Sequence, residues 1–455
     1  MYLIYNHDVI EYQTEPTSTG GAFGVDVGDG VVMPSTTYGR ARALTERLET
    51  RLADSLDSEL TATRRSVLGG LGLAGEAAFA GVGRADTHDA AAGDHDDDHR
   101  HGNFGAVGEY DDLDFDPHDY LRRFNTGRGE GENVPQDVYE EDGRTVREFT
   151  LTAVDTSIAI APGIEFSSWA YNGQVPGPTL RAVEGDLIRV HFENLGRHAH
   201  TIHPHLRNPN PVMDGIPTNG PGVLDTGESY TYEWIAQPAG CHFYHCHSLP
   251  LKEHIHRGLY GAIIVDPDPE RVAERPAEYC DFHPSQITEE LRADLVAEAK
   301  SRNHEYAENE AVDEMVMVMN GFDTNFDGGN EVYAVNTRAF AYGVGETDGE
   351  GNWAAGETKR PIQIDRTRRQ RVYLINAIEF DLVNSFHTHS QFFDYYDHGT
   401  TLRPTHETVD TIMQCQAQRG IIELDYSTHD PGLYMFHAHQ SEFAELGWMS
   451  FFEVV

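Results

Sequence analysis

Four short histidine pairs hold the chemistry of this sequence: His203-Pro204-His205, His245-Cys246-His247, His387-Thr388-His389 and His437-Ala438-His439. In an extended strand, residues i and i+2 point to the same face, so each pair can aim two imidazoles at one region. A single such pair is usually a surface accident. Four pairs, an earlier and a later one in each half of the ordered chain, suit a site with several copper ions. Cys246 places a soft thiolate between His245 and His247. With His200, three residues before the first pair, and His254, eight after the cysteine, it completes two imidazoles and one sulfur, the donor set of a blue (type 1) copper. Leu259 stands at the axial place. Carbon cannot ligate copper, so this residue favours the cuprous ion and raises the reduction potential. If Cys246 holds one copper while His245 and His247 hold a cluster, electrons have a short covalent route from one to the other.

Such a site needs elements that hold paired ligands. From Thr145 the chain breaks into short alternating strands punctuated by Gly and Pro: Val146–Val154, Ile158–Ile160, Leu187–Asn194, Ser229–Ala236, Cys241–Tyr244 and Gly261–Val265. A second series follows: Glu314–Met319, Glu331–Asn336, Ile362–Ile364, Val372–Ala377, Gly420–Tyr426, Gly432–Phe436 and Met449–Val455. Short strands with frequent turns predict an all-β chain of two barrel or sandwich domains. An acidic connector over about residues 267–312 holds a helix over Ile287–Ser301, capped by Ser285. Met315, Met317 and Met319 alternate on one strand face and read as core. Asp323 to Gly328 begins like a calcium loop, but Ala334 occupies the place of the closing acid, so a hairpin turn is expected. Cys241, Cys280 and Cys415 read as buried thiols, since four irregularly spaced cysteines make no disulfide framework.

These motifs resemble those of the multicopper oxidase family, which includes laccases and ceruloplasmin-like ferroxidases, and those of the related copper nitrite reductases. His200 to His205 reproduces the family's H-x-x-H-x-H motif, and His245 to Leu259 is similar to its H-C-H…H-x-x-x-G-[ML] motif. The gap from Cys246 to His254 is longer than in most laccases and resembles that of nitrite reductases. Tyr171 to Leu180 resembles the family's N-G-x-x-P-G-P turn, a structural connection. The match covers about residues 145–455. It implies two cupredoxin-like Greek-key β-barrel or sandwich domains, the first over 145–266 and the second over 313–455.

The resemblance also implies copper as cofactor, about four ions per chain. One is the type 1 copper of His200, Cys246 and His254. The others form a trinuclear cluster, one type 2 and a binuclear type 3, held by His203, His205, His245, His247, His387, His389, His437 and His439. In the second domain Asn384, Ala438 and Phe443 stand where the blue-copper ligands would be, while all four cluster histidines remain. The implied activity is oxidation of a donor at the type 1 copper, coupled to four-electron reduction of O2 to water. Partners are then O2 and a small-molecule or metal-ion donor, such as a phenol, an aromatic amine, Cu(I), Fe(II) or Mn(II). Nitrite reduction and non-catalytic electron transfer are the alternatives. His247 speaks against the first, because one catalytic copper with three histidines has no use for it, and intact cluster histidines in both domains speak against the second. Each domain supplies half the cluster ligands, so the cluster belongs at a domain interface, within one chain or between neighbours. Two-domain relatives are homotrimers, which sets the same expectation here. Asp214 is the proton-relay candidate, with Glu253, Glu442 and Glu445 as other acids near the ligands in sequence.

The 455 residues are enough for two or three domains with full cores, so any metal site is functional rather than a folding staple. Acidic residues number 75 against 33 basic ones, a formal charge of −42, which excludes nucleic acid and anionic membrane surfaces as partners. With lysine only at positions 252, 300 and 359, this reads as a halophilic surface of the haloarchaeal type, whose carboxylate repulsion concentrated salt screens. Residues 1–84 are expected to be a disordered acidic leader. Within it Arg64-Arg65 and the small and apolar run Val67–Ala74, near 63–80, resemble a Tat export signal that would send the protein to the secreted or cell-surface side, with Met33 as another start. Residues 85–144 form an Asp- and His-rich linker and lead-in. No apolar run approaches the roughly 20 residues of a membrane helix.

Overall fold

The structure, a computed structural model, describes residues 135–161, 164–342 and 361–455. The leader, its twin-arginine segment and the linker up to residue 134 lie outside the described residues.

The first barrel contains β1 (Asp137–Glu141), β2 (Arg144–Ala161), β3 (Ile164–Tyr171), β4 (Leu180–Val183), β5 (Leu187–Asn194), β6 (His203–Pro204), β7 (Ser229–Ile235), β8 (Gly240–His245) and β9 (Tyr260–Asp266). One sheet runs β1-β2-β5-β7 with β3 added on β2, and the other runs β4-β9-β8-β6. The second barrel contains β10 (Val312–Phe322), β11 (Val332–Val335), β12 (Ile362–Ile364), β13 (Arg369–Asn376), β14 (Val383–Thr388), β15 (Phe393–Asp397), β16 (His406–Val409), β17 (Thr411–Cys415), β18 (Arg419–Leu424), β19 (Gly432–His437) and β20 (Met449–Val454). Its sheets run β11-β10-β13-β18-β15-β16 and β12-β20-β19-β14-β17. The two barrels repeat one plan. Parallel β2–β5 and β4–β9 pairs in the first match parallel β10–β13 and β12–β20 pairs in the second.

Each barrel has its own apolar filling, around Trp234, Tyr232, Phe192 and Val190 in the first and around Phe386, Phe436, Trp448 and Leu374 in the second. β10 shows how the pair is joined. Its Met315, Met317 and Met319 face into the second core as expected. Val316 and Val318, on the opposite face, enter a third cluster with Phe243, Tyr260 and Ile264 of the first barrel. Both faces of the strand are thus dry, which couples the barrels by hydrophobic burial.

Charge reinforces that contact. Arg181 on β4 reaches Asp266 at 2.8 Å and Glu314 on β10 at 2.8 Å, while Arg371 on β13 reaches Glu423 at 2.7 Å and Glu314 at 3.3 Å. All five side chains are buried. These buried ions offset one another where an unpaired one would be costly, and Arg302 adds its own pair with Glu298 at 2.8 Å. Arg302 lies at the end of the connector helix and packs its guanidinium over Tyr396 at 4.1 Å.

Two local expectations are corrected. The connector helix spans Glu289–Arg302 and is capped by Thr288, whose side chain accepts from the Leu291 N–H; Ser285 instead sits in a 3-10 turn, Pro284–Gln286, capped by His283. Cys415 is exposed, because β17 alternates and Thr411, Met413 and Cys415 form its outward face; Cys241 and Cys280 are buried as expected. Residues 323–331 do form the turn of the β10–β11 hairpin. The carboxylates of Asp323, Asp327 and Glu331 approach one another there, with Asp323 accepting from the Asp327 and Gly328 N–H groups.

Candidate metal centre

Strand register brings the histidine pairs together. In the first barrel β6 lies antiparallel to β8 with His203 opposite His245; in the second, β14 lies antiparallel to β19 with His387 opposite His437. Alternation then places His205 and His247, or His389 and His439, beside the same pair. His203 lies 5.2 Å from His205, 5.3 Å from His245 and 5.2 Å from His247, centroid to centroid. His387 repeats this at 5.1 Å from His389, 5.2 Å from His437 and 4.9 Å from His439. Nε2 atoms meet at 3.0 Å between His205 and His245 and at 2.9 Å between His389 and His437.

In four of the eight rings the other nitrogen is spoken for. Nδ1 of His203 bonds the Asp214 carbonyl at 2.7 Å, that of His245 the Cys246 carbonyl at 2.8 Å, that of His387 the Asp410 carbonyl at 2.9 Å and that of His437 the Ala438 carbonyl at 2.6 Å. A carbonyl can only accept, so each Nδ1 holds the proton and each Nε2 lone pair is left free, the arrangement of metal-binding histidine. Burial, above all, holds His245 down to about 3 and His205 to about 2, and it also lowers His203, His389 and His437. Neutral imidazoles are the ligand form.

The two quartets are separate within the chain. Ring contacts link members of each quartet, and among the described residues none links one quartet to the other. The first lines a cavity of about 480 Å³, together with Lys252, Glu379 and Gln416. The second lies at the surface, with His389 and His439 exposed.

Beneath the first quartet, Cys246 Sγ lies 3.2 Å from His254 Nδ1 and 3.8 Å from His200 Nδ1, and the two Nδ1 atoms are 3.2 Å apart. All three residues are buried. His254 is delivered by α1 (Leu251–His256), the short helix that fills the long gap after the cysteine. Burial depresses His200 to about 3 and His254 to about 4, so both stay neutral, and it raises the thiol. Two neutral imidazoles with Nδ1 aimed at one sulfur fit a soft thiophilic cation such as copper. Leu259, fully buried in the same apolar cluster as Cys246, accepts from the Cys246 N–H through its carbonyl. Thr201 fastens the sites together: its N–H donates to Cys246 Sγ at 3.4 Å, and its hydroxyl accepts from the His247 N–H at 2.9 Å.

The corresponding place in the second barrel is filled. Asn384 and Ala438 are buried, and Phe443 stacks on Tyr333 at 4.0 Å inside the core.

Of the acids expected near the ligands, Asp214 is the one at the first quartet, with its Oδ1 3.4 Å from His203 Nδ1. Glu253 pairs with Arg257, and Glu442 and Glu445 are exposed on α4 (Ser441–Glu445), which follows two further helices, α2 (Pro269–Glu274) and α3 (Glu289–Arg302). Trp169 and Glu379 escaped sequence reasoning. Trp169 packs against both His254 and His200, at 4.7 and 5.5 Å, and nothing in its strand pattern marks it.

Comparison with known proteins decides the family. Two family models, each described as multicopper oxidase, match residues 153–270 and 327–455. A solved multicopper oxidase aligns with TM-score 0.58 and 42% identity over 76% of this chain and 99% of that one. The chain belongs to the multicopper oxidase family. Family membership makes it a copper-dependent oxidoreductase of two cupredoxin-fold domains. It is also similar to L-ascorbate oxidase of Cucumis sativus, 39% identical over 102 residues, 21% of this chain and 16% of that protein. A copper-containing nitrite reductase of Neisseria meningitidis serogroup B is 31% identical over 121 residues, 26% of this chain and 29% of that protein. The matched stretches thus span less than a third of either curated relative.

Proposed function

We propose that the protein takes electrons one at a time from a small donor at His200, Cys246 and His254 and passes them to a trinuclear site where O2 is reduced to water. The observation that carries this reading is a single stretch of backbone. Cys246 gives its sulfur to the lower site, while His245 and His247, its neighbours, belong to the quartet above. Copper bound at these residues supplies one-electron redox chemistry and a place for dioxygen. The residues do the rest. The buried carbonyl-bonded imidazoles stay neutral and oriented, Thr201 fixes the distance between thiol and quartet, and Trp169 covers both lower imidazoles against water.

We further assign the eight histidines to one cluster built by two chains. Each quartet has half the ligands, and the second presents its half at the surface, so the first barrel of one chain meets the second barrel of the next. A closed homotrimer satisfies this head-to-tail contact, and the exposed Phe392, Met413 and Leu382 near the second quartet would be covered by it. Export through the twin-arginine segment and operation in concentrated salt belong to the same reading, from Arg64-Arg65 and the charge of −42.

Nitrite reduction is the second reading, favoured by the Neisseria relative and the long Cys246–His254 segment. Metal analysis with oxygen uptake in molar salt separates the two. About four coppers per chain and uptake with a phenolic or metal-ion donor are expected; about two coppers, with nitrite consumed instead, would overturn the oxidase.

A further inference from the structure

Among the described residues, the cavity beside the first quartet has one acid on its wall, and that acid comes from the other barrel. Glu379 follows β13 and is only 7% exposed, yet it faces a space of about 480 Å³ that the four imidazoles also line. That volume has room for a file of water molecules. Gln416, an exposed residue, lines the same cavity, so the acid has a polar neighbour on its solvent side. Across the cavity, α1 contributes Lys252, one of three lysines in the chain, whose ammonium lies over the Phe380 ring at 5.0 Å. Among the described residues lining this cavity, the charged or titratable groups besides Glu379 are Lys252 and the quartet itself.

From this placement we propose that Glu379 is the proton donor that serves the first quartet, with Lys252 tuning it and Gln416 at its solvent side. The proposal rests on the oxidase reading. Turning one O2 into two waters consumes four electrons from the donor and four protons. In each delivery the Glu379 O–H bond breaks, a new O–H bond forms on the oxygen being reduced, and the carboxylate regains a proton from solvent past Gln416. Burial suits the acid to this role by raising the carboxyl to about 7, with Gln416 and Lys252 opposing the rise. Such a group still holds a proton at neutral pH and releases it readily.

Glu379→Gln keeps shape and removes the proton. Its blue absorbance and anaerobic reduction by donor should match wild type, while oxygen uptake at pH 7 falls roughly tenfold or more, and Glu379→Asp should recover part of the rate. Wild-type activity should decline as pH rises through about 7, a limb that Glu379→Gln lacks and that Lys252→Met moves to higher pH. A measurement without copper gives the same answer: infrared titration of the metal-free protein should show a carboxylic-acid band lost near neutrality and missing from Glu379→Gln. Unchanged uptake and pH profile in Glu379→Gln, or no such band in wild type, overturns the proposal alone. No oxygen uptake by copper-loaded wild type overturns the oxidase reading and this proposal with it.

Discussion

Four imidazoles, those of His203, His245, His387 and His437, hold a carbonyl with Nδ1 and so offer Nε2 outward, whereas His200 and His254 turn Nδ1 toward the cysteine. The ring nitrogen used therefore sorts the ligands into two sites. Cys246→Ser should abolish blue absorbance and oxidase activity together while leaving copper on the quartets, as metal content and optical spectra would report. Leu259→Met would bring a thioether to the buried position beside Cys246; a lower reduction potential in a redox titration is the expected result, and an unchanged potential would refute the axial role of Leu259. The gathering of these histidines was legible in the sequence because i,i+2 spacing survives whatever the surrounding fold does. Glu379 was not. It sits after a strand with no motif around it, and only the approach of the second barrel to the first turns an ordinary acid into a cavity wall.

Strands with clean alternation, such as β5 and β7, were legible nearly to the residue, because one face is wet and the other dry. Others were not. β2 runs unbroken for 18 residues through Asp155-Thr156-Ser157, a polar stretch that reads as a turn but pairs with β3. β14, which bears His387, has Asn384, Ser385 and Phe386 all buried and shows no alternation to detect. Loops that steady the ligands are just as exacting. Gly215 follows Asp214 with φ +69°, and a Cβ there would meet the Ile202 carbonyl oxygen at 1.7 Å. Gly215→Ala should cost roughly 2 kcal/mol or more and draw the Asp214 carbonyl away from His203, read as lower stability and lower copper content at the quartet. Between the barrels, Arg181→Met would take from Asp266 and Glu314 the buried cation they share. A loss of about 3 kcal/mol in denaturant unfolding is expected, since both carboxylates keep their desolvation cost while Glu314 retains only Arg371 and Asp266 only His304 as cationic partners.

For the whole molecule, separate quartets make a sharp prediction about assembly. A chain with His203→Ala and His245→Ala should be inactive, as should one with His387→Ala and His437→Ala. Refolded together, they should regain part of the activity, because an intact quartet from each can meet at the junction of neighbours. A cluster confined to one chain would stay dead in every mixture. The charge of −42 is a second property of the whole chain. Raising salt from about 0.1 M to 1 M shortens the screening length from about 10 to 3 Å, so melting temperature should climb with salt before it levels off.

The filled pocket of the second barrel has one more consequence. Where the first lobe gathers three donors, the second has Phe443 wedged against Tyr333 and Ala438 sunk in hydrocarbon. A chelator should therefore soften the molecule lopsidedly: backbone deuterium uptake would quicken around β8 and α1, while the corresponding stretch of β19 and α4, already plugged, would keep its native pace.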